Sequence, residues 1–129
     1  MRYLLFLFFP GFLFSQTDWG KKKLPEYDNI YSEKISEDSL HSTFFIAIKK
    51  HVLHHYHKEH SECIVVLSGK GEMTLGEQSI KLRQGMQVSI PKNIVHSVVV
   101  LSKKPLRVIS IQSPMFDGKD RHFPEGRDF

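Results

Sequence analysis

The sequence predicts an all-β protein: an eight-stranded jelly-roll β-barrel preceded by an N-terminal arm and followed by an irregular C-terminal tail. Three observations carry this. From Thr43 onward, short runs rich in Val, Ile and Leu alternate with turn residues at close, regular spacing. No window of that stretch shows the apolar repeat of an amphipathic helix. A chain of 129 residues, 40% hydrophobic and 25% charged, suits one ordinary domain and not two.

The first fifteen residues stand apart. Arg2 precedes an apolar run from Leu4 to Phe14, and Ser15 follows it. As a helix those eleven residues would reach about 16 Å, roughly half the apolar thickness of a bilayer. A basic start, a short apolar stretch and a small residue at its end predict a signal peptide over 1–15, with cleavage after Ser15. The expected location is secreted or periplasmic, with no membrane attachment once the signal is removed. No Arg-Arg pair precedes the run, which implies export of an unfolded chain.

Residues 16–43 are polar and lack a sustained period, with breaks at Pro25, Asp28-Asn29 and Asp38-Ser39. They read as an arm that wraps the domain or pairs at an edge, carrying a charged patch at Lys21-Lys22-Lys23. The barrel spans 44–112. Its expected strands are Phe44–Lys49, Val52–His57, Glu62–Leu67, Glu72–Leu75, Ser79–Leu82, Gln87–Ile90, Val95–Leu101 and Leu106–Gln112. Gly69-Lys70-Gly71, Gly76-Glu77, Gln84-Gly85, Pro91-Lys92-Asn93 and Lys103-Lys104-Pro105 punctuate them. The tail, 113–129, holds two Pro and two Gly and reads as irregular.

Charge and cysteine content narrow the function. The net charge of +4 comes from scattered basic residues, which excludes a nucleic-acid-binding face. The single Cys63 forms no intramolecular disulfide and reads as a small buried hydrophobe.

The chemical signal is a histidine cluster: five of the eight His lie between His51 and His60. Side chains of a strand alternate in direction, so His55 and His57 share a face. Glu62 opens the next strand and can turn back toward them, and His96 starts a distant one. Three imidazole nitrogens and one carboxylate oxygen suit a first-row divalent metal with one or two positions open. His54 points away by parity, and His51, His54 and His60 are expected at solvent or in an interface. His122 in the tail is expected in solvent. Met73 and Met86, with Leu75, Leu82, Val88 and Ile90, are read as core or site lining.

These residues resemble the two motifs of the cupin superfamily. The first, Gly-x5-His-x-His-x(3,4)-Glu-x6-Gly, is matched by His55, His57, Glu62 and Gly69, with Lys49 in place of the opening Gly. The second, Gly-x5-Pro-x-Gly-x2-His-x3-Asn, is matched by Gly85, Pro91 and His96. There Asn93 replaces Gly, which is mild because Asn tolerates a left-handed turn, and Val100 replaces the final Asn.

The resemblance implies a small, single-domain (type-2) cupin holding one divalent metal (Zn, Ni, Cu, Fe or Mn) on His55, His57, Glu62 and His96. It implies a metal-dependent enzyme of dioxygenase, decarboxylase or isomerase type, acting on a small polar or anionic molecule. A non-enzymatic metal- or small-ligand-binding module is the alternative, and a purely structural metal is a third reading. Ile64, Val66, Val98 and Val100 alternate in phase with the ligands and are expected to line an apolar pocket. The resemblance also implies a homodimer, for which Cys63, Val65 and Leu67 offer an apolar stripe, repeated by Val99 and Leu101.

Overall fold

The computed structural model describes residues 16–125, so the segment read as a signal peptide lies outside the described residues. Nine strands run β1 Ile30–Glu37, β2 Ser42–Ile48, β3 His51–His55, β4 Ser61–Ser68, β5 Lys70–Leu75, β6 Gln78–Arg83, β7 Gln87–Ile90, β8 His96–Val100 and β9 Leu106–Ser113. They form two antiparallel sheets. One has the order β1-β2-β9-β4-β7 and the other β3-β8-β5-β6.

The eight expected strands are present, and the arm contributes a ninth. Ile30–Glu37 pairs with β2 from Ile30↔Ile48 to Glu37↔Ser42, with a bulge between Lys34 and Ser36. It is an edge strand, and its largely exposed residues need no apolar alternation, which hides it in the sequence.

Alternation is clear where one face is buried. In β4, Glu62, Ile64 and Val66 point inward, while Cys63, Val65 and Leu67 lie half-buried on the outer face. Ile64 and Val66 join Ile48, Met73, Leu82, Val88, Ile90, Val98, Leu106 and Val108 in one core. Each such aliphatic side chain is worth about 1.5–3 kcal/mol when withdrawn from water.

The arm also wraps. It crosses the outer face of the five-stranded sheet, where Phe45 and Ala47 would otherwise meet solvent and are instead fully buried. The Trp19 ring stacks on Phe45 with centroids 5.2 Å apart. Arg107 clamps the crossing by donating to the carbonyls of Gly20 at 2.8 Å and Lys22 at 3.1 Å. Of the expected charged patch, Lys22 is withdrawn: it pairs with Glu33 and lies over the Trp19 ring. Lys21 and Lys23 are exposed.

The two apolar stripes fall on different sheets. Val99 in β8 and Leu101 just past its end lie on the four-stranded sheet and are 43% and 55% exposed. They therefore share no surface with Cys63, Val65 and Leu67.

Candidate metal centre

Cross-strand pairing brings the four distant residues together. His55 and His96 are direct partners across β3 and β8, and their rings lie 4.1 Å apart. Past His55 the chain leaves the sheet: Tyr56 bridges to His122, and the His57 carbonyl accepts the Asn93 N–H at 2.6 Å. Asn93 has φ of 62°, the left-handed conformation that its motif position requires. Glu62 enters from the opposite sheet. One ligand atom from each of His55, His57, Glu62 and His96 lies within 4.8 Å of the others, and all four residues are buried.

Each imidazole is oriented by a backbone carbonyl. The Nδ1–H groups of His55, His57 and His96 donate to the carbonyls of Leu53 at 2.8 Å, Asp120 at 2.6 Å and Ile94 at 3.0 Å. A carbonyl can only accept, so Nδ1 carries a proton, and in its neutral form each ring offers its Nε2 lone pair. The Nε2 atoms of His57 and His96 are buried without a hydrogen-bond partner. They face Glu62 Oε2 at 3.4 and 3.5 Å. Glu62 Oε1 accepts from the Ser110 hydroxyl, which in turn accepts from Gln112 Nε2 at 3.3 Å.

Lone pairs aimed at a carboxylate in a dry interior repel it unless a proton or a cation lies between them. Two donors each about 2.1 Å from a shared ion stand roughly 3.0–3.4 Å apart, close to the separations found. The residues fit a metal ion.

Burial and charge set the protonation of the group. Burial, then the neighbouring His96, pushes the His55 pKa down to about 3 and keeps the ring neutral. Burial opposes charge on His57 as well, but Glu62 and the Asp120 carbonyl outweigh it and raise its pKa. For Glu62, burial works upward, yet His57, His96 and Ser110 hold the carboxyl well below its ordinary range.

The site opens into a cavity of about 330 Å³ between the sheets. Ile64 and Val98 are among the residues that line it. Val66 and Val100 are not: they point inward but lie farther along their strands and pack into the core.

Two expectations about the other histidines are corrected. His60 is only 1% exposed: its ring packs against His57 at 4.1 Å, and Nδ1 meets Asp120 Oδ2 at 2.8 Å. His122 is half-buried, its backbone paired with Tyr56 and its Nε2 3.1 Å from Asp120 Oδ1. His51 and His54 are likewise half-buried on β3. The tail residue behind these changes is Asp120, which sequence reasoning missed. Its carboxylate accepts the backbone N–H groups of Lys58, Glu59 and His60 at 2.8, 2.8 and 3.1 Å. Burial works to raise the Asp120 pKa, but these three bonds hold it below its ordinary range. His57, His60 and Asp120 also lie close enough to suggest a second ion site. Their hydrogen bonds to one another and to the Lys58–His60 turn already occupy Asp120, so the trio is a brace for the first site.

Comparison with known proteins agrees with this architecture. A cupin-domain family model matches residues 44–112. An uncharacterised protein of Aquifex aeolicus is 34% identical over 116 residues, covering 90% of this chain and 95% of that one. Among solved structures, KdgF from a Halomonas species superposes with a TM-score of 0.69 at 18% identity, over 79% of this chain and 94% of its own. A protein from Planctomyces limnophilus superposes with a TM-score of 0.63 at 30% identity, over 71% of this chain and 81% of its own.

Proposed function

The chain belongs to the cupin family, and we propose that it holds one divalent metal ion on His55, His57, Glu62 and His96 and is a metal-dependent enzyme acting on a small anionic molecule. The observation that carries this is the convergence of buried, unpartnered imidazole nitrogens on a carboxylate oxygen. A first-row divalent ion bound there supplies Lewis acidity and open positions for substrate oxygens.

The chain's own residues do the rest. Leu53, Asp120 and Ile94 carbonyls fix the ring orientations, and Ser110 fixes Glu62, so the donors are set before anything binds. Apolar walls exclude water and strengthen every charge interaction inside.

Glu62 is the only carboxylate lining the cavity among the described residues. With no second acid to donate a proton, a non-enzymatic binding module is the competing reading. Elemental analysis of the purified chain, after exposure to an equimolar mixture of Zn, Ni, Cu, Mn and anaerobic Fe(II), separates the outcomes. One ion per chain, lost in His57→Ala and Glu62→Gln, is expected. Turnover of a small acid by any singly loaded form establishes the enzyme, and a stoichiometric ion without turnover favours the binding module. Failure of every ion to bind overturns both.

The same proposal includes export through 1–15. A chain loaded outside the cytoplasm meets ions in competition, which favours zinc, nickel or copper over iron and manganese. Intact mass of exported material should begin at Gln16, and a retained Met1–Ser15 would refute the export reading.

A further inference from the structure

The cavity and its rim specify what kind of molecule enters. The mouth is framed by exposed residues from outside the matched domain: Ile30 and Ser32 of β1 on one side, Gly118 and Arg121 of the tail on the other. Arg121 is held in place from both sides. Asp120 is anchored through its carbonyl and carboxylate. His122 is anchored by a reciprocal backbone pair with Tyr56, at 2.9 and 3.0 Å. Asp120 and His122 face each other, so in this extended segment the intervening Arg121 side chain points the other way and lines the cavity. The carbonyl of its neighbour Asp120 is bonded to the His57 ring, and Arg121 lines the same cavity as His55 and Glu62, which places it at the metal-centre end.

Beyond that end the cavity has almost nothing to offer a polar molecule. Its deep walls are the buried side chains of Ile48, Met73, Val98, Leu106 and Val108. Apart from Ser32 at the mouth, the polar side chains of the lining, His55, Glu62, Gln112 and Arg121, gather at the other end. A sugar body would leave several hydroxyls unpaired against those walls, each at a real cost. A neutral head would forgo the charge-assisted, bidentate bonds that a rigid guanidinium gives a carboxylate. The volume, about 330 Å³, is that of a site for a small molecule.

Resting on the reading of the site given above, we propose that its ligand is a small amphipathic monocarboxylic acid. Its carboxylate lies between Arg121 and the metal centre, and its apolar body fills the deep cavity. Uronic and other sugar acids are thereby disfavoured.

The test is calorimetric titration of the full chain, zinc-loaded and metal-free, with phenylacetate, octanoate, glucuronate and octanol. Zinc content is measured separately on each sample. Phenylacetate and octanoate should bind at least tenfold tighter than glucuronate or octanol. Arg121→Gln should weaken both acids at least tenfold while leaving octanol affinity and zinc content unchanged, and Arg121→Lys should recover part of the loss. Glucuronate binding as tightly as phenylacetate, or acid affinity indifferent to Arg121→Gln, would overturn the proposal. So would a failure of both acids to bind either form, which would leave a stoichiometric zinc site standing. Absence of zinc with the acid preference and its Arg121 dependence intact in the metal-free chain would instead overturn the metal reading alone.

Discussion

Replacing Asp120 by Ala removes one carboxylate and breaks four contacts of the tail with the histidine turn. The backbone N–H groups of Lys58 and Glu59 belong to exposed residues and can turn to water. Those of His60 cannot. Its backbone N–H and its ring Nδ1–H lie in a residue only 1% exposed and would be left without an acceptor. At about 1–3 kcal/mol for each orphaned buried donor, the variant should lose about 3 kcal/mol. For a domain of this size, with a urea dependence of about 1.5 kcal/mol per molar, the midpoint of the metal-free protein should fall by about 2 M. Far-UV circular dichroism during urea titration reads this directly. Asp120→Asn, which keeps one oxygen acceptor, should fall between the two. The carbonyl that orients His57 survives in both variants but loses its anchor, so metal affinity should drop about tenfold in the Ala variant. A midpoint within 0.5 M of the parent protein (roughly 0.8 kcal/mol) would refute the idea that Asp120 braces the site.

Three further outcomes are expected. Gly69→Ala should cost at least about 3 kcal/mol, because its φ is +85° and a Cβ would sit 2.6 Å from the Pro105 carbonyl oxygen; Gly85→Ala, at the same φ with nothing within 4 Å, should cost only about 1 kcal/mol, and equal losses on thermal unfolding would contradict the steric account. Metal-free protein should lose stability as pH falls from about 6.5 toward about 3, since unfolded His55 takes up a proton that the buried ring refuses; unfolding midpoints that stay flat over that window would show otherwise. The outer stripe of Cys63, Val65 and Leu67, extended by Ile109 and Ile111 across the β4–β9 pairing, should support a homodimer at micromolar concentration by light scattering, with Val65→Lys monomeric; a monomeric parent protein would remove this expectation.

The four candidate ligands were legible in the sequence because each lies in a short marked motif, although cross-strand pairing is what brings them together. His55 and His57 are two positions apart, though the strand ends at His55, and the turn to Glu62 is short; His96 is marked by the Pro and Asn of its own turn. Parity gives a face and not a depth. Ile64 and Val66 share the face of Glu62, but at about 3.3 Å per residue Val66 lies roughly 13 Å along the strand, past the cavity wall. His96 and Val100 are related in the same way. What stayed hidden depends on contacts between distant segments. His60 sits in a run of polar residues that resembles a solvated turn, and only the tail folding over it makes it buried. Asp120 and Arg121 occur in a stretch with no periodicity, some 60 residues from the groups they serve, and no local pattern marks them. The edge strand β1 escaped because an exposed edge imposes no alternation on its residues.

The acceptor that orients His57 belongs to a residue synthesised 63 positions later. A ribosome therefore delivers all four candidate ligands before it delivers the group that aims one of them. From His96 to Asp120 is 24 positions, which at about 5–20 residues per second leaves an interval of about 1–5 s. During that interval the His57 ring lacks the acceptor that fixes its orientation, so the ordered donor set is a property of the completed chain.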